Sequence, residues 1–119
     1  MKNHIFIKNK INNFNEKIKV SSDKSISIRS ILLASQSVGI SKISNLLESE
    51  DVLNALKTIK KLGINYYKKK KIYNIEGYGL NGFNIKKKTI INCGNSGTLA
   101  RLILGLVVKT KKKNKINWR

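Results

Sequence analysis

Cysteine, histidine and acidic residues are all scarce in this chain, and each scarcity closes off a class of function. One cysteine, Cys93, rules out an internal disulfide framework, and together with the single histidine, His4, it cannot complete a standard structural zinc site. No metal and no cofactor are expected. No apolar run reaches the length of a membrane span, since the longest, Leu99 to Val108, is broken by Arg101 and Gly105. The start, Met1-Lys2-Asn3-His4, lacks the apolar stretch and small-residue cleavage site of a secretory signal, so a cytoplasmic protein is expected.

What is abundant is positive charge. Against 6 Asp and Glu stand 25 Lys and Arg, a formal charge of +19 in 119 residues. Such an excess raises the possibility of a small basic module binding nucleic acid, because phosphate neutralisation dominates that kind of binding. Tyr66, Tyr67 and Tyr73, beside lysines, would then be candidate stacking platforms, with core or strand-face roles as the alternative. Yet only Arg29, Arg101 and Arg119 are arginines, and Lys, Ile and Asn fill nearly half the chain. Those are the residues an AT-rich coding sequence favours, so composition alone accounts for much of the charge. The length is that of one domain, enough to bury a usable core.

Hydrophobic periodicity gives an alternating order of elements. Ile5 to Ile7 and Lys17 to Val20 are strand candidates joined by the Asn-rich stretch Asn9 to Asn15. Ser25 to Val38 is expected as a helix with Gly39 as its stop, followed by a short strand, Ile40 to Ser44. In the next helix Ser49 is the expected cap, Glu50 and Asp51 favour the positive end, and Val52, Leu53, Leu56, Ile59 and Leu62 form the apolar face before Gly63. Two strands, Ile64 to Tyr67 and Lys71 to Glu76, flank a turn expected at Lys68-Lys69-Lys70. Thr89 to Asn92 is a further strand, and Leu99 to Val108 a last helix. The sequence predicts a mixed α/β protein in the order βαβαββ and then βα, a repeating theme.

Chemistry repeats with the elements. Asp23-Lys24-Ser25-Ile26-Ser27-Ile28-Arg29 and Asn92-Cys93-Gly94-Asn95-Ser96-Gly97-Thr98, followed by Arg101, each set small, polar and cationic residues at the start of a helix. The first amides of a helix have no intrahelical partner and carry partial positive charge, so each start is a candidate anion site. Gly97 lets backbone approach a carboxylate or phosphate without a Cβ between, Lys24 adds a compact charge, and the Asn95 side chain is a candidate brace for the loop. Either start alone could equally be an ordinary capped helix with Ser25 or Thr98 as cap. Asp51 is expected to serve helix electrostatics rather than catalysis, and Cys93 to be a buried small residue rather than a nucleophile.

These residues carry a resemblance. The segment Asp23 to Arg29, the segment Leu46-Leu47-Glu48-Ser49-Glu50-Asp51-Val52 and the segment Asn92 to Thr98 with Arg101 are similar, in order and spacing, to three motifs of the 3-phosphoshikimate 1-carboxyvinyltransferase (EPSP synthase) family, from about Lys17 to Val108. The resemblance implies an enolpyruvyl transferase-like fold of the α/β (α+β) type, made of repeated βαβαββ units and here incomplete. Residues 1–20 would carry N-terminal strands, the first belonging to the other domain. Residues 21–108 would be a partial substrate-binding domain, one full unit and the start of a second, and 109–119 a basic tail after an interruption or truncation.

The implied reaction moves the enolpyruvyl group of phosphoenolpyruvate to the 5-hydroxyl of shikimate 3-phosphate in the shikimate pathway, with no cofactor and, in full-length members, a monomeric enzyme. By resemblance Lys24 is the catalytic residue and touches both substrates, Ser25 and Arg29 bind shikimate 3-phosphate, and Asn95, Gly97 and Thr98 bind phosphoenolpyruvate. Ser21-Ser22 departs from the family's Pro-Gly, in a chain without proline, and Ile28 stands where a polar residue is usual. Uncovered apolar surface is expected at Ile103, Leu104 and Val107, and the isolated chain is expected to be marginally stable and inactive. A relative of UDP-N-acetylglucosamine enolpyruvyltransferase is the alternative enzyme, although that family has a different lysine-asparagine segment at Lys24.

Overall fold

The computed structural model describes residue 15 and residues 20–85, 89–108, 110 and 114–118. Within them the chain forms α1 (Lys24–Gln36), β1 (Val38–Ser44), α2 (Glu50–Lys61), β2 (Asn65–Lys69), β3 (Ile72–Tyr78), β4 (Thr89–Asn92), α3 (Gly97–Val107) and β5 (Asn114–Asn117). The two early strand candidates lie, except for Val20, outside the described residues.

Helix α1 starts where Asp23 caps it: the carboxylate accepts the Ile26 N–H at 2.7 Å, and the Ser27 hydroxyl donates to the Asp23 carbonyl at 2.7 Å. It stops two residues before the expected end. Ser37 turns extended and its hydroxyl donates to the Ala34 carbonyl at 2.8 Å, so Val38 and Gly39 open β1 instead of closing the helix. Gly39 pairs with Gly77 in the antiparallel register, and the pull of a complete β1–β3 ladder outweighs the helical pattern of the local sequence.

β1, β3 and β2 form an antiparallel sheet with β3 in the middle. Alternation along β3 turns Tyr73, Ile75 and Gly77 inward against the helices. There Ile28, Ile31 and Leu32 of α1 meet Val52, Ala55, Leu56 and Ile59 of α2, all buried. Full burial of each large aliphatic side chain is worth about 1.5–3 kcal/mol. Gly77 is required where β3 crosses the end of α1, because a Cβ there would lie 2.4 Å from the carbonyl oxygens of Ala34 and Ser37.

The turn after β2 falls at Lys70 and Lys71, and Lys68 and Lys69 are strand residues rather than turn. Lys68 and the Tyr73 hydroxyl both donate to the Glu48 carboxylate, the tyrosine at 2.9 Å. Tyr73 is therefore a buried core residue with a hydrogen-bonded tip, Tyr66 packs against the core, and Tyr67 is exposed. The connection from β1 to α2 is pinned on its other side by the Leu47 N–H donating to the Ser27 hydroxyl at 3.0 Å. Ser49 occupies the cap position of α2 but makes no side-chain cap bond, contrary to expectation; among the described residues its buried hydroxyl has no partner. The acidic first turn, Glu50 and Asp51, carries the helix start instead.

The second unit begins with β4 and α3 and returns in β5, which pairs parallel with β4. Part of the segment expected as a basic tail is thus a strand. The Cys93 N–H donates to the Asn117 carbonyl at 2.9 Å, and burial pushes the Cys93 thiol above its ordinary value. Ile103 and Val107 are buried, correcting the expectation of bare surface there; α3 packs beside α1, and both residues belong to the common core. Leu104 is exposed as expected, together with Leu102 and Val108.

Two outcomes follow from these contacts. Gly77→Ala forces apart two backbone segments that have no flexible atom to move, and should destabilise the chain by about 1–3 kcal/mol in urea unfolding. Lys68 foremost, with Tyr73, holds the Glu48 carboxyl below its ordinary value of 4.5. A carboxyl with a lower pKa folded than unfolded stabilises the native state at neutral pH, and that contribution disappears as the solution is acidified below about pH 5. Thermal melts from pH 7 to pH 3 should accordingly fall less steeply for Glu48→Gln than for the wild type.

Candidate active site

Both polar motifs lie at the amino ends of helices, and the fold brings those ends together. The Ser25 hydroxyl on α1 and the Thr98 hydroxyl on α3 stand 3.5 Å apart, although 73 residues separate them in sequence. Neither is the helix cap: Asp23 caps α1, and Ser96 caps α3 by accepting the Leu99 N–H at 3.1 Å. The caps satisfy the amides of Ile26 and Leu99, while those of Lys24, Ser25, Gly97 and Thr98 have no acceptor within their helices. With their hydroxyls in contact, the two helix starts form one donor-bearing mouth.

The loop into α3 is shaped by its own side chains. Gly94 has a φ of +55° and donates its N–H to the Asn92 side-chain oxygen at 2.9 Å, and the Ser96 N–H closes the turn on the Cys93 carbonyl at 3.0 Å. A Cβ on Gly94 would stand 2.8 Å from the Asn54 side-chain nitrogen on α2. The expected brace, Asn95, is exposed, and Asn92 braces the loop instead. That role was readable in principle, since an Asn two residues before a glycine is a common Asx-turn pattern.

Lys24 reaches across to the third helix start. Its ammonium lies 2.8 Å from the Asp51 carboxylate, the lysine side chain 48% exposed and the aspartate 15%. Hydrogen bonding to Asp51, with its charge, raises the Lys24 pKa above the ordinary lysine value. Asp51 thus does more than complement the α2 dipole, a role with no signal in the sequence because it depends on where α2 is anchored. Trp118 is another addition: its ring lies 3.5 Å from where a Gly97 Cβ would be, an ordinary contact distance that sets the indole beside the start of α3.

The two arginines are placed less centrally. Arg29 lies one turn along α1 from Ser25, exposed, on a groove of about 260 Å³ shared with Leu32, Leu33, Gln36, Leu102 and Leu106. Arg101 is exposed on α3, and among the described residues neither arginine has an acidic partner. The structure therefore gathers Lys24, Ser25, Gly97 and Thr98, sets Arg29 at the margin, and leaves Asn95 on the rim. Chemically such a mouth suits oxyanions, with backbone and hydroxyl donors from two helix starts and Lys24 on one of them.

The model of the EPSP synthase (3-phosphoshikimate 1-carboxyvinyltransferase) family matches residues 8–116. The 3-phosphoshikimate 1-carboxyvinyltransferase of Persephonella marina is 41% identical over 98 residues, covering 82% of this chain and 22% of the relative. That of Vesicomyosocius okutanii is 44% identical over 103 residues, covering 86% and 23%. Among solved structures, EPSP synthase from Acinetobacter baumannii superposes with a TM-score of 0.69 at 29% identity, over 86% of this chain and 24% of that one. The chain spans less than a quarter of the length of these relatives. With a family match over nearly its whole length and relatives above 40% identity over more than 80% of it, the chain belongs to the EPSP synthase family.

Proposed function

We propose that this chain supplies part of the substrate-binding half of a 3-phosphoshikimate 1-carboxyvinyltransferase. In the reaction the 5-hydroxyl of shikimate 3-phosphate loses its proton as its oxygen bonds to C2 of phosphoenolpyruvate and C3 gains a proton; phosphate then leaves from C2 and C3 loses a proton, giving 5-enolpyruvylshikimate 3-phosphate. Two polyanions have to be held together for this, so cations and fixed donors bring most of the advantage at the binding stage. The observation that carries the reading is the contact of Ser25 with Thr98 beside Lys24, which merges the two motif loops into one donor-lined mouth.

In this reading Lys24 is the catalytic lysine and touches both substrates. Ser25 and Arg29 bind shikimate 3-phosphate, and Asn95, Gly97 and Thr98 bind phosphoenolpyruvate. Residues 21–108 act as a partial substrate-binding domain, and the enzyme works as a cytoplasmic monomer when whole. The acid and base groups for the proton transfers are to come from outside this chain, whose described acids near the mouth are Asp23, engaged in capping, and Asp51, engaged with Lys24.

The single tryptophan makes binding measurable. Phosphoenolpyruvate and shikimate 3-phosphate, titrated together into the purified chain, should change Trp118 emission and shift the amide resonances of Ser25, Gly97 and Thr98. Lys24→Met should weaken that response by about tenfold or more, the scale of a lost hydrogen bond to a charged group. Absence of any response in the folded wild-type chain would overturn the assignment. A separate expectation concerns turnover: the isolated chain should release no phosphate from the substrate pair above the uncatalysed rate.

A further inference from the structure

The Lys24–Asp51 pair is unequal in a way that bears on how the mouth holds anions. Asp51 is the more buried partner, 15% exposed in its side chain against 48% for Lys24. It sits in the first turn of α2, where the helix dipole favours its charge. The segment leading into that turn is tied to α1 through Leu47 and Ser27, and to the sheet through Glu48 with Lys68 and Tyr73. The aspartate therefore cannot follow an outward movement of the lysine, whereas the long, half-exposed lysine can swing. Lys24 keeps its charge with or without this partner, since an ordinary lysine is protonated far above neutral pH. The pair consequently governs where the ammonium is and how much of its field reaches a ligand, not whether it is charged.

From this we propose that Asp51 is an internal competitor for the Lys24 ammonium, lowering the affinity of the Ser25–Thr98 mouth for small anions with few contacts. The proposal rests on reading that mouth as an anion site. A carboxylate 2.8 Å from the ammonium offsets much of its attraction for a second anion. A ligand whose only handle is one phosphate has to draw Lys24 from Asp51 with little in return. A ligand with a second anionic group, or hydroxyls reaching other donors, offsets that separation elsewhere. Inorganic phosphate, which the proposed reaction releases, belongs to the first class, so Asp51 favours discharge of the product over its retention.

The test is a phosphate titration followed by Trp118 emission at low ionic strength, on the wild-type chain, Asp51→Asn, Asp51→Glu, Lys24→Met and the double variant Lys24→Met/Asp51→Asn, each checked for fold by circular dichroism. Asp51→Asn should bind inorganic phosphate about two- to fivefold more tightly, the range carried by partly exposed ion pairs. Asp51→Glu should stay near the wild type, and the gain should vanish in the Lys24→Met background. Unchanged or weaker binding by Asp51→Asn, or the same gain without Lys24, overturns the competitor role alone. Silence of every variant toward phosphate overturns the anion-site reading, and the competitor with it. If Asp51→Asn does not fold, the Lys24 side-chain resonance of the wild-type chain decides: phosphate should move it away from its Asp51-paired position, and an unmoved resonance overturns the proposal.

Discussion

Burial of one face of α1 is the constraint on which the rest of this structure depends. Ile28 and Ile31 are wholly enclosed and Leu32 nearly so, and this face is the meeting point of α2, β3 and the flank of α3. Enclosing it places the start of α1 against the start of α3 and within a lysine's reach of α2. The polar mouth is thus held by apolar contacts behind it, which are stronger and less dependent on salt than any ion pair at the rim. Ile28 is itself a departure from the polar residue usual in the family, and its complete burial shows the position working as core.

Polar contacts then refine what packing has set roughly. Ser27, inside α1, links two levels: its hydroxyl both donates to the capping residue's carbonyl and accepts from Leu47 in the loop before α2. Glu48, its neighbour in that loop, is held from the sheet side by Lys68 and Tyr73. These local bonds fix the height at which Asp51 enters, and so the direction in which Lys24 extends. The large positive charge is spent differently from what its size suggests: Lys68 serves a structural pair, Lys60 and Lys61 lie in the last turn of α2, where cations complement the dipole, and Lys61 also donates to the Ile90 carbonyl.

How much was legible can be judged from particular elements. The strongly amphipathic α2 was read almost to its ends, since Val52, Leu56 and Ile59 recur at helical spacing and charges of the right sign flank them. Helix α1 is shorter than its local pattern suggests because Ser37 and Val38 look helical locally, whereas Ser37 turns extended and Val38 pairs with Tyr78 in the β1–β3 ladder. The burial of Ile103 and Val107 has no local signal for a related reason: exposure on α3 depends on what packs beside it, α1 above all, which no local pattern records. Asn92 as the loop brace had a signal that went unused, while Trp118 beside Gly97 had none, being placed by the pairing of β5 with β4.

The sequence by itself determined the chemistry of the two helix starts and the order of elements around them, because helix starts, turns and amphipathic faces are encoded within a few residues. It also placed the chain in its family, through motifs whose identities are local. Only the tertiary structure decided that the two starts form one mouth, that Lys24 is shared with Asp51, and that Ser25 and Thr98 face each other instead of capping their own helices. Those are relations between residues far apart in the chain, set by which apolar faces find one another in the core, and the physics of that choice is long-range packing rather than local conformational preference.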